Sequence, residues 1–190
     1  MNSAKRGKEW ENIIDPSFAI IDNCTVTNMG APVNVIRFTN RVKGLFTGCF
    51  TGKGSCDYEG GYQGSVVSIE AKRTKQLTWS FASIKPHQLA RMRSTVNMGG
   101  IAGVLLWWDH KDGSAAYFGI SFQAIQRWIR AGKKSVNPRD LMAGCDVDGF
   151  GVKRLVMRPA QHNGKFSTVC NLVPTLDMMI GNTIMEEDDA

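Results

Sequence analysis

Apolar residues along this chain recur with two different periods. Within residues 65–72 they alternate: Val67, Ile69 and Ala71 fall on one side, Ser68, Glu70 and Lys72 on the other. That is the period of a strand with one buried face. Residues 101–108, Ile-Ala-Gly-Val-Leu-Leu-Trp-Trp, are apolar throughout, as a strand covered on both faces must be. Residues 18–21, 33–38 and 117–120 are shorter strand candidates, and 153–172 carry one or two more. Elsewhere the spacing is helical. Leu89, Met92 and Val96 form a stripe within residues 85–98; Pro86 suits the first turn and Gly99-Gly100 the end. Ser121 is placed to cap a helix running to Arg130, with Phe122, Ile125 and Ile129 inward and Gly132 after it. A short helix over residues 3–14 puts Trp10, Ile13 and Ile14 on one face, and Asp15-Pro16 is expected to end it. The order helix, strands, helix, strand, strand, helix predicts an α/β domain, a mixed sheet flanked by helices.

Two stretches break these patterns. Residues 39–56 are rich in glycine and basic side chains and read as a projecting or mobile segment; residues 57–64, Asp-Tyr-Glu-Gly-Gly-Tyr-Gln-Gly, read as turn-rich.

Composition narrows the class. With 43% hydrophobic and 21% charged residues the chain of 190 supports a core and is not disordered. Its apolar runs are too short for a spanning helix, and its start lacks the apolar region of a secretory signal. Five cysteines, odd in number and without C-x-x-C spacing, argue for reduced thiols in a cytoplasm and against a disulfide or zinc framework. The net charge of +6 is unevenly spread. Acids are absent from 23–56, from 71–108 and from 113–139, all of which carry basic residues, while four acids crowd into the last five residues. Long stretches cleared of carboxylates suit a polyanionic partner, since each phosphate contact releases counterions.

Candidate chemistry sits in Asp57 and Glu70-Ala71-Lys72. Glu70 and Lys72 are two apart on a strand and share a face. Two carboxylates offer hard oxygens to Mg²⁺, which favours one or two of them and keeps its waters. A bound ion lowers the pKa of water and stabilises charge on a phosphate, and a neighbouring lysine orients or deprotonates that water, or neutralises the phosphate. An exposed Glu-x-Lys salt pair is common, but here the flanking residues are apolar and an Asp-bearing turn precedes the strand.

These residues resemble the RecU-type Holliday junction resolvases of the PD-(D/E)XK nuclease superfamily. The resemblance rests on residues 57–64, on Glu70-Ala71-Lys72, on Pro86-His87-Gln88 and on Gly99-Gly100. It is extended by residues 6–11, Arg-Gly-Lys-Glu-Trp-Glu, and by Gly132-Lys133-Lys134-Ser135, and it covers about residues 5–140. Cys56 stands where the superfamily often has proline. The resemblance implies a restriction-endonuclease-like mixed sheet flanked by helices, with a stalk-like insertion at about 39–56. The nuclease domain would span 1–150, with an extension of the same domain over 151–185 and an acidic tail at 186–190. It also implies roles. Asp57, Glu70, Lys72, Glu11 and Gln88 would be catalytic. Asp57, Glu70 and the Ala71 carbonyl would hold Mg²⁺, with Mn²⁺ as a substitute. Glu9 is the rival of Glu11. The DNA contacts expected are Arg37, Arg41, Lys43, Lys53, Arg73, Lys75, Lys133 and Lys134; Phe46 or Phe50 would stack on an unpaired base, with at least one of the two packing at the base of the stalk instead. Tyr58 and Tyr62 are expected to pack the turn.

The function implied is paired, symmetric nicking of a four-way DNA junction by a cytoplasmic, nucleoid-associated homodimer. Two alternatives stay open: another PD-(D/E)XK nuclease of repair or restriction type, and a branched-DNA-binding recombination protein without catalysis.

Overall fold

The computed structural model describes residues 3–30, 33–40, 42–50, 55–162 and 165–185. The first element is helix α1 (Ser3–Ala19), longer than expected. Trp10, Ile14, Ser17 and Phe18 are all buried, so the helical period runs straight across Asp15-Pro16. The expected stop at Pro16 and the expected strand at 18–21 are both overturned. A proline inside a helix removes one hydrogen bond and costs about 3 kcal/mol, and three anchors offset it. Phe18 packs on Tyr58, 5.5 Å between ring centres. The Tyr58 hydroxyl donates to Asp15 at 2.7 Å. The Ser17 hydroxyl donates to the Ile13 carbonyl at 2.6 Å and accepts the Cys170 amide at 2.8 Å.

Four strands follow: β1 (Thr27–Asn28), β2 (Val33–Asn40), β3 (Leu45–Phe50) and β4 (Tyr58–Tyr62). β2 and β3 form a separate antiparallel hairpin. Its described side chains are exposed, Val35, Ile36, Phe38, Leu45 and Phe46 among them. The strand expected at 33–38 therefore exists but lies outside the main sheet; it is the first arm of the inserted hairpin, which begins earlier than residue 39. β4 occupies most of the stretch expected to be turn. Only Gln63 and Gly64 turn, both with positive φ (49° and 84°), as a two-residue hairpin needs.

β5 (Ser65–Thr74) pairs antiparallel with β4 and leads through β6 (Trp79–Ser80) to helix α2 (Pro86–Asn97). α2 carries the crossover to β7 (Ile101–Asp109), which runs parallel to β5. β8 (Ala115–Ser121) returns antiparallel, followed by α3 (Phe122–Arg130), β9 (Ser135–Val136) and α4 (Pro138–Cys145). The end of the chain adds β10 (Val152–Arg154), β11 (Met157–His162), β12 (Lys165–Cys170) and α5 (Val173–Met185). The main sheet has six strands in the order β1-β4-β5-β7-β8-β10: a mixed α/β sheet with helices on both faces.

One core lies under α2, α3 and α4 and takes Val104, Leu106 and Trp108 from β7, Met92 from α2, and Phe122, Ile125 and Trp128 from α3. The other lies under α1 and α5 and takes Val67 and Ile69 from β5 and Ile101 and Leu105 from β7. β7 is thus the doubly covered strand that its sequence announces. In α3 the inward residue is Trp128; Ile129, expected inward, is 45% exposed. Trp128 and Ile129 stand three and four residues after Ile125 and flank its row, and the bulkier Trp128 ring takes the inner side by stacking on Phe81.

α5 was not anticipated. It reaches the sheet because Gly103 and Gly119 leave room: a Cβ on Gly119 would fall 2.2 Å from Thr175 Cγ2, and one on Gly103 would fall 2.7 Å from the Met179 methyl. Gly119→Ala is accordingly expected to destabilise by about 1–3 kcal/mol through overpacking, and Thr175→Ala to recover part of the loss. Thermal melts of the two single variants and the double check this; an unchanged melting temperature for Gly119→Ala contradicts the packing of α5.

Candidate active site

Three elements build the site, and the β4–β5 register aligns two of them. Tyr58 faces Ile69, so Asp57, one residue before β4, comes level with Glu70. At that level the strand pairing passes from backbone to side chain. The Asp57 carboxylate accepts the Ala71 amide through Oδ2 at 3.0 Å, and the Asp57 amide donates to Glu70 Oε2 at 3.3 Å. Glu70 Oε1 takes the Lys72 ammonium at 2.5 Å and the Gln88 amide Nε2 at 2.6 Å. Gln88 sits in the first turn of α2, where its Oε1 also accepts the Lys85 amide at 2.8 Å. It caps the helix and holds a carboxylate with the same side chain.

Burial sets the electrostatics. Glu70 is 1% exposed. Burial, reinforced by the Asp57 carboxylate and opposed by Lys72, pushes its pKa up to about 7. Cys56 is buried too, and its thiol is pushed up to about 12, by burial first and then by Glu70, Glu59 and Asp57. It is a packing residue in an acidic setting rather than a nucleophile. A second polar rank continues the same face. Arg91 binds Glu59 through Nε at 2.7 Å and Nη2 at 3.2 Å, and the Ser68 and Thr95 hydroxyls lie 2.8 Å apart.

Other residues anticipated for the site go elsewhere. Glu11 pairs with Lys8 at 3.1 Å on α1, and Glu9 pairs with Arg73 at 2.6 Å. Neither makes a hydrogen bond to Asp57 or Glu70. α1 packs against the opposite face of the sheet from Glu70, which is the physical reason. Among the described residues no group of three Asp, Glu, His or Cys side chains is arranged to hold a metal. Tyr58 and Tyr62 are buried packing residues whose hydroxyls donate to Asp15 and Asp177.

Of the expected DNA contacts, Arg73 is committed internally. Its guanidinium bonds Asp109 at 2.9 and 3.2 Å as well as Glu9, and lies 3.6 Å from the centre of the Trp107 ring. Strand alternation turns it away from Lys72. Lys75 stands 3.8 Å from Asp109, and Lys133 bonds Asp140 at 2.7 Å. Arg37, Lys43 and Lys134 are exposed. Arg41, Lys53 and the Phe50 side chain lie outside the described residues, as does the acidic tail; Phe46 is exposed and meets Phe38 edge-on. Glu59 and Arg91 were missed. For Arg91 a signal was present, three residues past Gln88 on one helix; Glu59 gave none, because its strand reads as turn.

A family model described as RecU, Recombination protein U, matches residues 5–146. A curated protein named Holliday junction resolvase RecU from Leuconostoc mesenteroides is 28% identical over 88 residues, 45% of this chain and 42% of that protein. Its namesake from Latilactobacillus sakei is 28% identical over 109 residues, 54% and 52% of the two chains. The one from Shouchella clausii is 43% identical over 51 residues, 26% and 25%. The alignments span about half, or less, of these relatives' length. Beyond the match, residues 147–185 still supply β10 to the sheet and α5 to the second core.

The crowding of two carboxylates has a measurable sign. An acid whose folded-state pKa lies above its ordinary value loses folding free energy as pH rises through that interval; for Glu70 the interval is 4.5 to about 7. In EDTA, Asp57→Asn is expected to raise the melting temperature at pH 8 by roughly 2–4 °C, about 1 kcal/mol for a chain of this size, and to change it little at pH 5. An equal loss at both pH values would mean that the Ala71 bond outweighs the repulsion.

Proposed function

The chain belongs to the RecU family, and from that premise we propose that it is a metal-dependent endodeoxyribonuclease that resolves four-way DNA junctions. The observation that carries the reading is the meeting of Asp57, Glu70 and Lys72 at one level of the β4–β5 pair. In this reading the sheet and its helices are a restriction-endonuclease-like nuclease fold.

The donor set fits Mg²⁺. Asp57 and Glu70 offer carboxylate oxygens, and burial first, then the Asp57 carboxylate, raises the pKa of Glu70 in spite of Lys72. The Ala71 carbonyl leaves the strand on the same side as its amide, which is the side of Asp57. Two carboxylates and a carbonyl suit an ion that keeps most of its waters. When bound, the ion acts as a Lewis acid and lowers the pKa of water. Lys72, fixed on Glu70 as an ammonium, orients the attacking water or offsets charge on the phosphate. Gln88 keeps Glu70 turned toward Lys72. Hydrolysis breaks the bond to the 3′ oxygen and leaves a 5′ phosphate.

Shape and phosphate contacts rather than base sequence select the substrate. The β2–β3 hairpin, with exposed Arg37 and Lys43 and the exposed ring of Phe46, is the element that enters the centre of the junction. The assembly is a C₂ homodimer with one site per subunit, which matches two symmetric nicks. Its place is the cytoplasm, with the nucleoid. Among the described residues no helix is long and apolar enough to cross a membrane.

Purified protein with Mg²⁺ is expected to cut a four-way junction and to leave its component duplexes intact. Asp57→Asn, Glu70→Gln and Lys72→Ala should each lower the single-turnover rate by at least about 100-fold while junction binding persists in a gel shift. Equal cutting of linear duplex overturns the junction reading, and binding without cutting by the wild type overturns the nuclease reading.

A further inference from the structure

One cation beside the site has no role in the chemistry above. Arg91 lies one helical turn beyond Gln88, so one face of α2 delivers an amide to Glu70 and a guanidinium to Glu59. Glu59 stands opposite Ser68 in the β4–β5 ladder, two residues from the Asp57–Glu70 level and on the same face.

How Arg91 is held matters. A guanidinium has five N–H donors in a rigid fork. Glu59 takes one from Nε and one from Nη2, at 2.7 and 3.2 Å. No other hydrogen-bond partner of Arg91 occurs among the described residues, so three donors are left over, both on Nη1 and the second on Nη2. The side chain is 36% exposed while its partner is only 14% exposed. One edge of the fork is fixed inward by a sheltered carboxylate and the other edge is presented outward.

Glu59 is the third carboxylate on this face, after Asp57 and Glu70. Unpaired, it would repel a DNA strand crossing the site. A merely neutralising cation need not be planar or directional. A fixed guanidinium with a free edge matches the geometry of a phosphodiester, which takes paired N–H donors.

The geometry points to Arg91 as a phosphate ligand that grips a phosphodiester next to the one being cut, with Glu59 as the positioning residue that aims it. This inference rests on the nuclease reading and adds to it a contact that orients the strand. The rival role is that of a counter-ion for Glu59, in which case Arg91 touches no DNA.

Binding of the full chain to a four-way junction, measured in EDTA across a series of salt concentrations, separates the two. The variants are Arg91→Gln, Arg91→Lys, Glu59→Gln and the double variant Glu59→Gln/Arg91→Gln. Arg91→Gln should weaken binding roughly tenfold and lower the slope of log affinity against log salt by about one. The double variant, which leaves no unpaired charge and guards against misfolding of the single one, should recover only the part of the loss that repulsion by an unpaired Glu59 causes, and should keep the reduced slope. Arg91→Lys should restore the slope, and Glu59→Gln should keep it. If the double variant regains wild-type affinity and slope, Arg91 is a counter-ion and the inference is overturned; so too if Arg91→Gln binds as the wild type does. If the wild type itself neither binds nor cuts the junction, the nuclease reading fails first and takes this one with it.

Discussion

The Ala71 amide donates to a side chain, the Asp57 carboxylate, rather than to a neighbouring strand, and the rest of the site depends on that bond. It fixes Asp57 level with Glu70 and crowds two acids into a nearly sealed space. Such crowding is unfavourable unless something offsets it. Lys72 and Gln88 converge on one oxygen of Glu70, and the Asp57 amide takes the other. Held at this electrostatic disadvantage, the site costs the fold some stability, as functional sites commonly do.

The scaffold makes the crowding rigid. β5 carries Val67 and Ile69 into one core and Glu70 and Lys72 under α2. β7 anchors it from the side, with both faces covered. Arg73, immediately after Lys72, ties the end of β5 to Glu9 on α1 and to Asp109 at the end of β7. α2 is bound down through Gln88 to Glu70, Arg91 to Glu59 and, beside them, Thr95 to Ser68. A polar stripe between helix and sheet works here as a register device; each bond aims a group at the site's edge.

Much of this was legible in the sequence because it rests on period. Alternation along residues 65–72 put Glu70 and Lys72 on one face, and the unbroken apolar run at 101–108 identified β7. Leu89, Met92 and Val96 gave α2 with its ends, since Pro86 and Gly99 punctuate it. What was not legible depended on tertiary partners. Pro16 reads as a stop until Phe18 meets Tyr58. β4 hides beneath its glycines, because Gly60 and Gly61 lower strand propensity while the pairing with β5 fixes the strand. α5 gives no signal in its own residues that the glycines opposite it make room. Arg73 reads as a DNA contact until Asp109 and Glu9, far away in the chain, claim it. The site followed the same rule: Asp57, Glu70, Lys72 and Gln88 come from three neighbouring segments and meet, whereas Glu11 is on a helix packed to the other face.

The most direct measurement of the central claim is the anomalous scattering of Mn²⁺ in crystals of the full chain soaked in that ion. The account predicts a single strong peak within direct ligand distance of the Asp57 and Glu70 carboxylates and the Ala71 carbonyl, with Glu11 outside that shell. Saturating Mn²⁺ with no peak between Asp57 and Glu70, or with the ion held by other residues, would contradict it.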